Sequence, residues 1–497
     1  MSEATQVRPT VEVEGGRLVG KIDHGAAAFL NIPYAAPPFG PNRMQPPQPA
    51  EPWDGERDAT EYGPTCPKGD YPPQYAPLFP EVVIPGEDCL NLNVWTPDPQ
   101  ATGLPVLVWI HGGSFMNGSG SVAAYRGSSF ARDGVVCVTI NYRLGAEGFL
   151  YLGDGVANVG LLDQIAALQW VQRNIAAFGG DPDRVTVAGE SAGAMSTTTL
   201  LAMPGARGLF RQAVLESGAA AHTLTPDVAL TVSRFLAEAL GVEPTREAIT
   251  ALPVDQVVAA ASALVEEVQT APDPAKWGSL ALSLLPFAPV VDGDTLPQHP
   301  LDALAEGASA DVALLVGSNN DEARLFVVPT GAIDFIDEAV LTAAATGYGA
   351  PDDAVQTYRA ARADAGHGDV MAAVVSDWFF RIPGIRVAEA HTGPTWMYRF
   401  DYWSPSFEGK LGACHGTEVP FVFDTLDDVT AHPLIGTAPP QAVADTAHAA
   451  WVRFVADGDP GWPRYDRSAR TTALLDDRLT VVDDPDGAER EIWTGCR

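Results

Sequence analysis

Four groups of residues in this chain have the types and order that acyl transfer by a serine nucleophile requires. The most compact is Gly189-Glu190-Ser191-Ala192-Gly193, a G-x-S-x-G pattern. The apolar run Val185-Thr186-Val187-Ala188 precedes it, and residues 194–203, free of Pro and Gly, follow it. A strand, a sharp turn and a helix in that order carry a serine hydroxyl at the apex of the turn. Small residues at 189, 192 and 193 leave the turn the room it needs. The helix start behind Ser191 aims its unpaired N–H groups at developing negative charge.

A serine nucleophile also needs a base, an acid to orient the base, and donors for the oxyanion. His111-Gly112-Gly113 follows the apolar run 106–110 and precedes the serine, so the amides of Gly112 and Gly113, completed by that of Ala192, are the candidate donors. The acid is expected after a later strand. Val312-Ala313-Leu314-Leu315-Val316-Gly317 leads into Ser318-Asn319-Asn320-Asp321-Glu322, where either Asp321 or Glu322 has the chemistry. The base is expected last, and His415, in Gly412-Ala413-Cys414-His415-Gly416, stands there. His24, His367 and His432 read as turn residues, His222 and His299 as loop residues, and His391 and His448 lie on or near helical stretches. His111 matters through its backbone neighbours.

The elements that must position these groups are legible as an alternation. Runs at 90–95, 106–110, 135–140, 185–188, 213–216, 312–316 and 397–401 predict strands. Between them, Leu162, Ile165, Leu168, Val171, Ile175 and Phe178 recur at helical spacing until Gly179-Gly180 stops the helix. Strands alternating with helices predict an α/β fold with a mostly parallel sheet covered on both faces. Residues 11–29 read as an antiparallel ribbon, and the proline-rich stretch up to Pro85 as a long surface loop. Ala- and Leu-rich segments at about 224–285 and 333–390 predict helical insertions within a single domain spanning 1–497. A helix at 442–456 and an edge ribbon at 474–493 complete the chain.

The balance of 30 basic against 63 acidic residues, net −33, argues against nucleic acid or an anionic membrane surface as partner. No run is long enough to span a membrane, and residues 1–16 are polar with no apolar signal core, so a cytoplasmic protein is expected. Five scattered cysteines describe neither a disulfide scaffold nor a metal site. No metal or cofactor is implied.

Further motifs carry a resemblance. Glu87-Asp88-Cys89-Leu90-Asn91-Leu92-Asn93, Asn141-Tyr142-Arg143-Leu144-Gly145, Asn158-Val159-Gly160-Leu161-Leu162-Asp163-Gln164 and Phe178-Gly179-Gly180-Asp181-Pro182 join the Gly-Glu-Ser-Ala-Gly turn. With matching stretches from Ile32-Pro33-Tyr34-Ala35 to Trp462-Pro463, the chain resembles the type-B carboxylesterases, which include cholinesterases and bacterial para-nitrobenzyl esterases. The resemblance implies an α/β-hydrolase fold and a Ser191–Glu322–His415 triad, which decides between Asp321 and Glu322. It also implies buried ion pairs of Arg43 with Glu87 and of Arg143 with Asp163. Ser217 is similar to a serine behind the triad that helps orient it, and Glu190 to a glutamate that tunes the histidine. Cys66 and Cys89 match a pair that forms a disulfide in secreted relatives. Cys414, beside His415, has no second histidine to activate it.

Two positions depart from the pattern. Ser114 stands for the usual third glycine after His-Gly-Gly, and Asn31 for the usual glycine before Ile-Pro-Tyr. The expected function is hydrolysis of small-molecule carboxylic esters through an acyl-enzyme, as monomer or homodimer. The alternatives are carbamate or amide hydrolysis by the same triad, and a non-catalytic binding or adhesion module.

Overall fold

The computed structural model describes residues 8–496; of the polar N-terminal stretch, residues 1–7 lie outside them. The strands, in chain order, are β1 Thr10–Val13, β2 Gly16–Val19, β3 Lys21–Asp23, β4 Ala26–Pro33, β5 Glu56–Asp58, β6 Asn91–Thr96, β7 Leu104–Ile110, β8 Val136–Ile140, β9 Gly180–Glu190, β10 Gln212–Glu216, β11 Ala313–Asn319, β12 Thr395–Phe400, β13 Thr471–Leu475 and β14 Leu479–Asp483. Among the described residues, three form a small sheet, β1-β2-β5, and eleven a large one, β14-β13-β12-β11-β10-β9-β7-β8-β6-β4-β3. From β13 to β8 the neighbours are parallel. Antiparallel pairs finish both edges. The ribbon expected at 11–29 therefore exists but is divided between the two sheets.

The sheet is covered on both faces because its central strands are apolar on both. Val106, Val108 and Ile110 enter one buried cluster, with Leu161, Leu168 and Val171 of the helix Val159–Asn174. Their neighbours Leu107 and Trp109 enter the other, with Trp451 and Phe454 of the helix Gln441–Asp457. This is the period-2 alternation of a strand buried on both sides. Burial of each such side chain contributes about 1.5–3 kcal/mol.

Residues 224–285 and 333–390 are largely helical, with Pro226–Leu240, Val254–Thr270, Glu338–Gly347 and His367–Ser376 as their longest helices. The segment Asp377–Arg381 is a single π-helical stretch. The edge ribbon is shorter than expected. Chain reversal after β14 leads into the helix Gly487–Ile492, whose Arg490 pairs with Asp484 at 2.8 Å. No described helix is long and apolar enough to cross a membrane.

The expected ion pair of Arg143 and Asp163 forms at 2.6 Å with both side chains buried. The expected pair of Arg43 and Glu87 does not. Arg43 instead meets Glu147 at 2.6 Å and donates to the carbonyl of Thr250 at 3.1 Å. Glu147 lies in a fully buried turn of helix, Gly145–Phe149, where an unpaired carboxylate is costly. Glu87 is exposed.

Candidate functional site

Most candidate site residues stand at the carboxyl ends of strands in the parallel part of the sheet, where α/β sheets bind ligands, while His415 lies in the long connection after β12. Ser191 follows β9, His111-Gly112-Gly113 follows β7, Ser217 follows β10, and the Glu322 loop follows β11. The turn at Ser191 is sharp, with φ 55° and ψ −122°. The helix Ala192–Ala202 starts directly after it and crosses β7 closely. A Cβ on Gly193 would stand 1.9 Å from the Ile110 carbonyl oxygen, so only glycine fits. The three buried threonines at 197–199 are satisfied by hydroxyls that donate one turn back, at 2.8–2.9 Å.

The candidate acid and base meet. His415 Nδ1 lies 2.7 Å from Glu322 Oε2, and the His415 amide donates to the Glu322 carbonyl at 3.2 Å. Glu322 is fully buried, and its other oxygen accepts from the Asn319 amide at 2.7 Å. Asp321, the other candidate, turns away to Arg324 at 3.3 Å. The second imidazole nitrogen, Nε2, faces the turn, 3.1 Å from Oε1 of Glu190, the residue before Ser191. Rings from the second helical insertion and the acid loop close over the histidine: Phe380, on the π-helical stretch, at 4.6 Å between centroids and Phe326 at 5.6 Å.

Electrostatics follow from this packing. Burial alone would lower the His415 pKa, but the charges of Glu190 and Glu322 outweigh it and lift the imidazole to about 9. Burial pushes the Glu190 carboxyl up to about 7, with His415 opposing and Glu322 adding to the rise. The Glu190→Gln variant removes one of the two anions facing the ring, and an imidazole without that neighbour releases its proton at lower pH. The acid limb of the kcat/KM–pH profile is therefore expected to move down by about one pH unit. A limb that stays in place would show that Glu190 does not act on His415.

The candidate oxyanion donors cluster at the serine. A Cβ on Gly112 would come within 3.1 Å of Ser191 Cβ and 2.5 Å of Glu190 Oε2, so a side chain there would crowd the turn. The Ser191 amide is taken by the Glu216 carbonyl at 2.9 Å. Ala192, first in its helix, has no acceptor one turn back for its own amide. Ser114 stands at φ 55° and Asn31 at φ 59°. Both departures from the resemblance thus occupy the left-handed region that explains a glycine there, and asparagine bears it more readily than serine.

Ser217 Oγ donates to Glu418 Oε1 at 3.1 Å, and Asn319 Nδ2 also donates to Glu418. Glu418, fully buried and pushed up to about 8 by burial and by Glu190 and Glu322, is a residue the sequence reading missed. Its signal was there: a carboxylate three residues after His415, flush against the apolar run 419–423. His111 is stacked on Tyr142 at 4.5 Å, and burial lowers its pKa to about 3, so its ring remains neutral. Burial pushes the Cys414 thiol up to about 12, the opposite of what a nucleophilic cysteine needs. Cys66 and Cys89 stand with sulfurs 3.2 Å apart as buried free thiols.

The chain matches the model of the carboxylesterase family over residues 7–484. The chain belongs to the carboxylesterase family. This carboxylesterase is 38% identical to the para-nitrobenzyl esterase of Bacillus subtilis (strain 168), over 97% of each chain. It is 37% identical to the phenmedipham hydrolase of Pseudarthrobacter oxydans, over 97% of this chain and 96% of that one. Among solved structures it is similar to the Geobacillus stearothermophilus carboxylesterase EST55, with a TM-score of 0.86 at 36% identity, covering 98% of this chain and 100% of that chain. The fold is accordingly the α/β-hydrolase fold. The carboxylesterase is a serine hydrolase of small-molecule carboxylic esters. Neither the carbamate or amide alternative nor the binding module is favoured by this membership.

Proposed function

We propose that ester hydrolysis runs through Ser191, His415 and Glu322, with the amides of Gly112, Gly113 and Ala192 as the oxyanion hole. The observation that carries this reading is the 2.7 Å contact of buried Glu322 with His415 Nδ1, with Nε2 on the other side of the ring 3.1 Å from Glu190, the residue before Ser191. Ser191 Oγ attacks the ester carbonyl carbon while its proton passes to Nε2. The carbonyl oxygen becomes the oxyanion and accepts from the three amides. His415 gives the proton to the departing alkoxide, leaving an acyl ester on Ser191. Water, deprotonated by the same nitrogen, attacks that ester; the bond from the acyl carbon to Ser191 Oγ breaks, Nε2 returns the proton to Oγ, and the carboxylic acid leaves. Glu322 holds Nδ1 protonated and stabilises the charged ring. Glu190 and Ser217 act behind these groups, Glu190 on the imidazole and Ser217 through Glu418.

The sheet draws strands from Lys21 to Asp483, which supports one catalytic domain with two helical insertions.

Rapid mixing with a para-nitrophenyl ester tests the two-step path. A burst of para-nitrophenol equal to the enzyme concentration is expected wherever release of the acyl group is the slower step. Turnover of a slowly deacylated pivaloyl ester with no burst would contradict it.

A further inference from the structure

The loop between Cys66 and Cys89 carries a charged pair that is not on the surface. The Lys68 side chain is 1% exposed and that of Glu81 10%, with Nζ and Oε1 2.9 Å apart. Together they hold both hydrogen-bonding groups of one residue on another loop. Lys68 Nζ donates to the Gly118 carbonyl at 2.7 Å. Glu81 Oε2 accepts from the Gly118 amide at 3.2 Å and from Asn117 Nδ2 at 3.2 Å. Asn117 Nδ2 also donates to the Gly69 carbonyl at 2.7 Å.

Gly118 and Asn117 are in turn packed onto the candidate oxyanion donors. The amides of Met116 and Asn117 both donate to the Gly113 carbonyl at 2.9 Å. A Cβ on Gly113 would stand 2.3 Å from the Asn117 carbonyl oxygen, and one on Gly118 2.6 Å from that of Gly112. The segment 111–118 is therefore folded against itself, and the pair grips its far end. Closing a loop needs no charges, and two buried ions cost several kcal/mol to desolvate unless their geometry is well matched. Here that geometry is directed at one residue, Gly118, behind the hole.

We propose that Lys68 and Glu81 are a positioning pair for the oxyanion hole: they fix the loop 111–118 and so the aim of the Gly112 and Gly113 amides. The inference rests on the reading of those amides as oxyanion donors. Loss of the pair lets the amides drift from the oxyanion, which lowers transition-state binding while leaving ground-state binding in place.

The test compares the wild-type enzyme with Lys68→Met/Glu81→Met, which removes both charges and strands neither, and with Asn117→Ala, which cuts the amide link and leaves the pair intact. Steady-state kinetics on para-nitrophenyl butyrate are measured beside inhibition by an aliphatic trifluoromethyl ketone, whose serine adduct bears an oxyanion. The double variant is expected to lose about 10- to 100-fold in kcat, with KM changed by less than about threefold, and to bind the ketone more weakly by the same factor as kcat. Asn117→Ala is expected to lose less in the same two quantities. The proposal is overturned if kcat and ketone affinity stay within about twofold of the parent, or if only KM rises, as for a loop that merely walls the substrate. Should the double variant not fold, Asn117→Ala decides by the same criteria. Ser191→Ala, run in parallel, separates the two levels, because turnover by that variant would remove the underlying reading whatever the pair does.

Discussion

Replacement of Ser191 by alanine is expected to lower kcat for a para-nitrophenyl ester by at least about 10⁴-fold, with the fold and thermal midpoint retained. The substitution deletes one oxygen at a half-buried position, while the backbone amide keeps its bond to the Glu216 carbonyl at 2.9 Å. Alanine bears the φ of 55° no worse than serine does. Residual turnover would come from the amides acting on a bound ester attacked by water, a route worth about 10³–10⁴ over the uncatalysed reaction in related triads. Stopped-assay kinetics with circular dichroism on the same sample check both halves of the statement.

The second large effect is expected at Glu322. Its Oε1 accepts from the Asn319 amide at 2.7 Å, and its Oε2 faces His415 Nδ1 at 2.7 Å. In Glu322→Gln the amide oxygen is needed by the Asn319 N–H, so the NH₂ group falls opposite Nδ1. Nδ1 must then accept, the ring proton moves to Nε2, and the nitrogen that should take the serine proton already carries one. A loss of about 10⁴-fold in kcat is expected, of the size a misdirected tautomer produces. Glu322→Asp keeps the charge and shortens the reach, and is expected to lose less. Equal losses in the two variants would point to the charge-free geometry of the loop rather than the tautomer as the cause.

How much of this was legible depends on whether the cause is local. The turn at Ser191 is written in its own residues, since Gly193 must pass under the Ile110 carbonyl and no other residue fits. The apolar strands and the helix Val159–Asn174 follow from periodicity, and their bounds moved by only a few residues. Which acid serves the histidine was not local. Asp321 and Glu322 are adjacent, and only the resemblance preferred Glu322; the fold turns Asp321 to Arg324 and buries Glu322. The partner of Arg43 failed for the same reason, because the need of Glu147 for a cation arises only when the turn Gly145–Phe149 is buried. Phe380 and the Lys68–Glu81 pair reach the site from separate segments whose meeting no spacing records.

The proposed chemistry stands or falls on which atom becomes acylated. Reaction of the enzyme with a para-nitrophenyl alkylphosphonate, followed by intact-mass and peptide mapping, reads that atom directly. One adduct per chain, on Ser191, formed in step with the loss of esterase activity and absent from Ser191→Ala, is the expected result. An adduct on another residue, or inactivation with Ser191 unmodified, would contradict it.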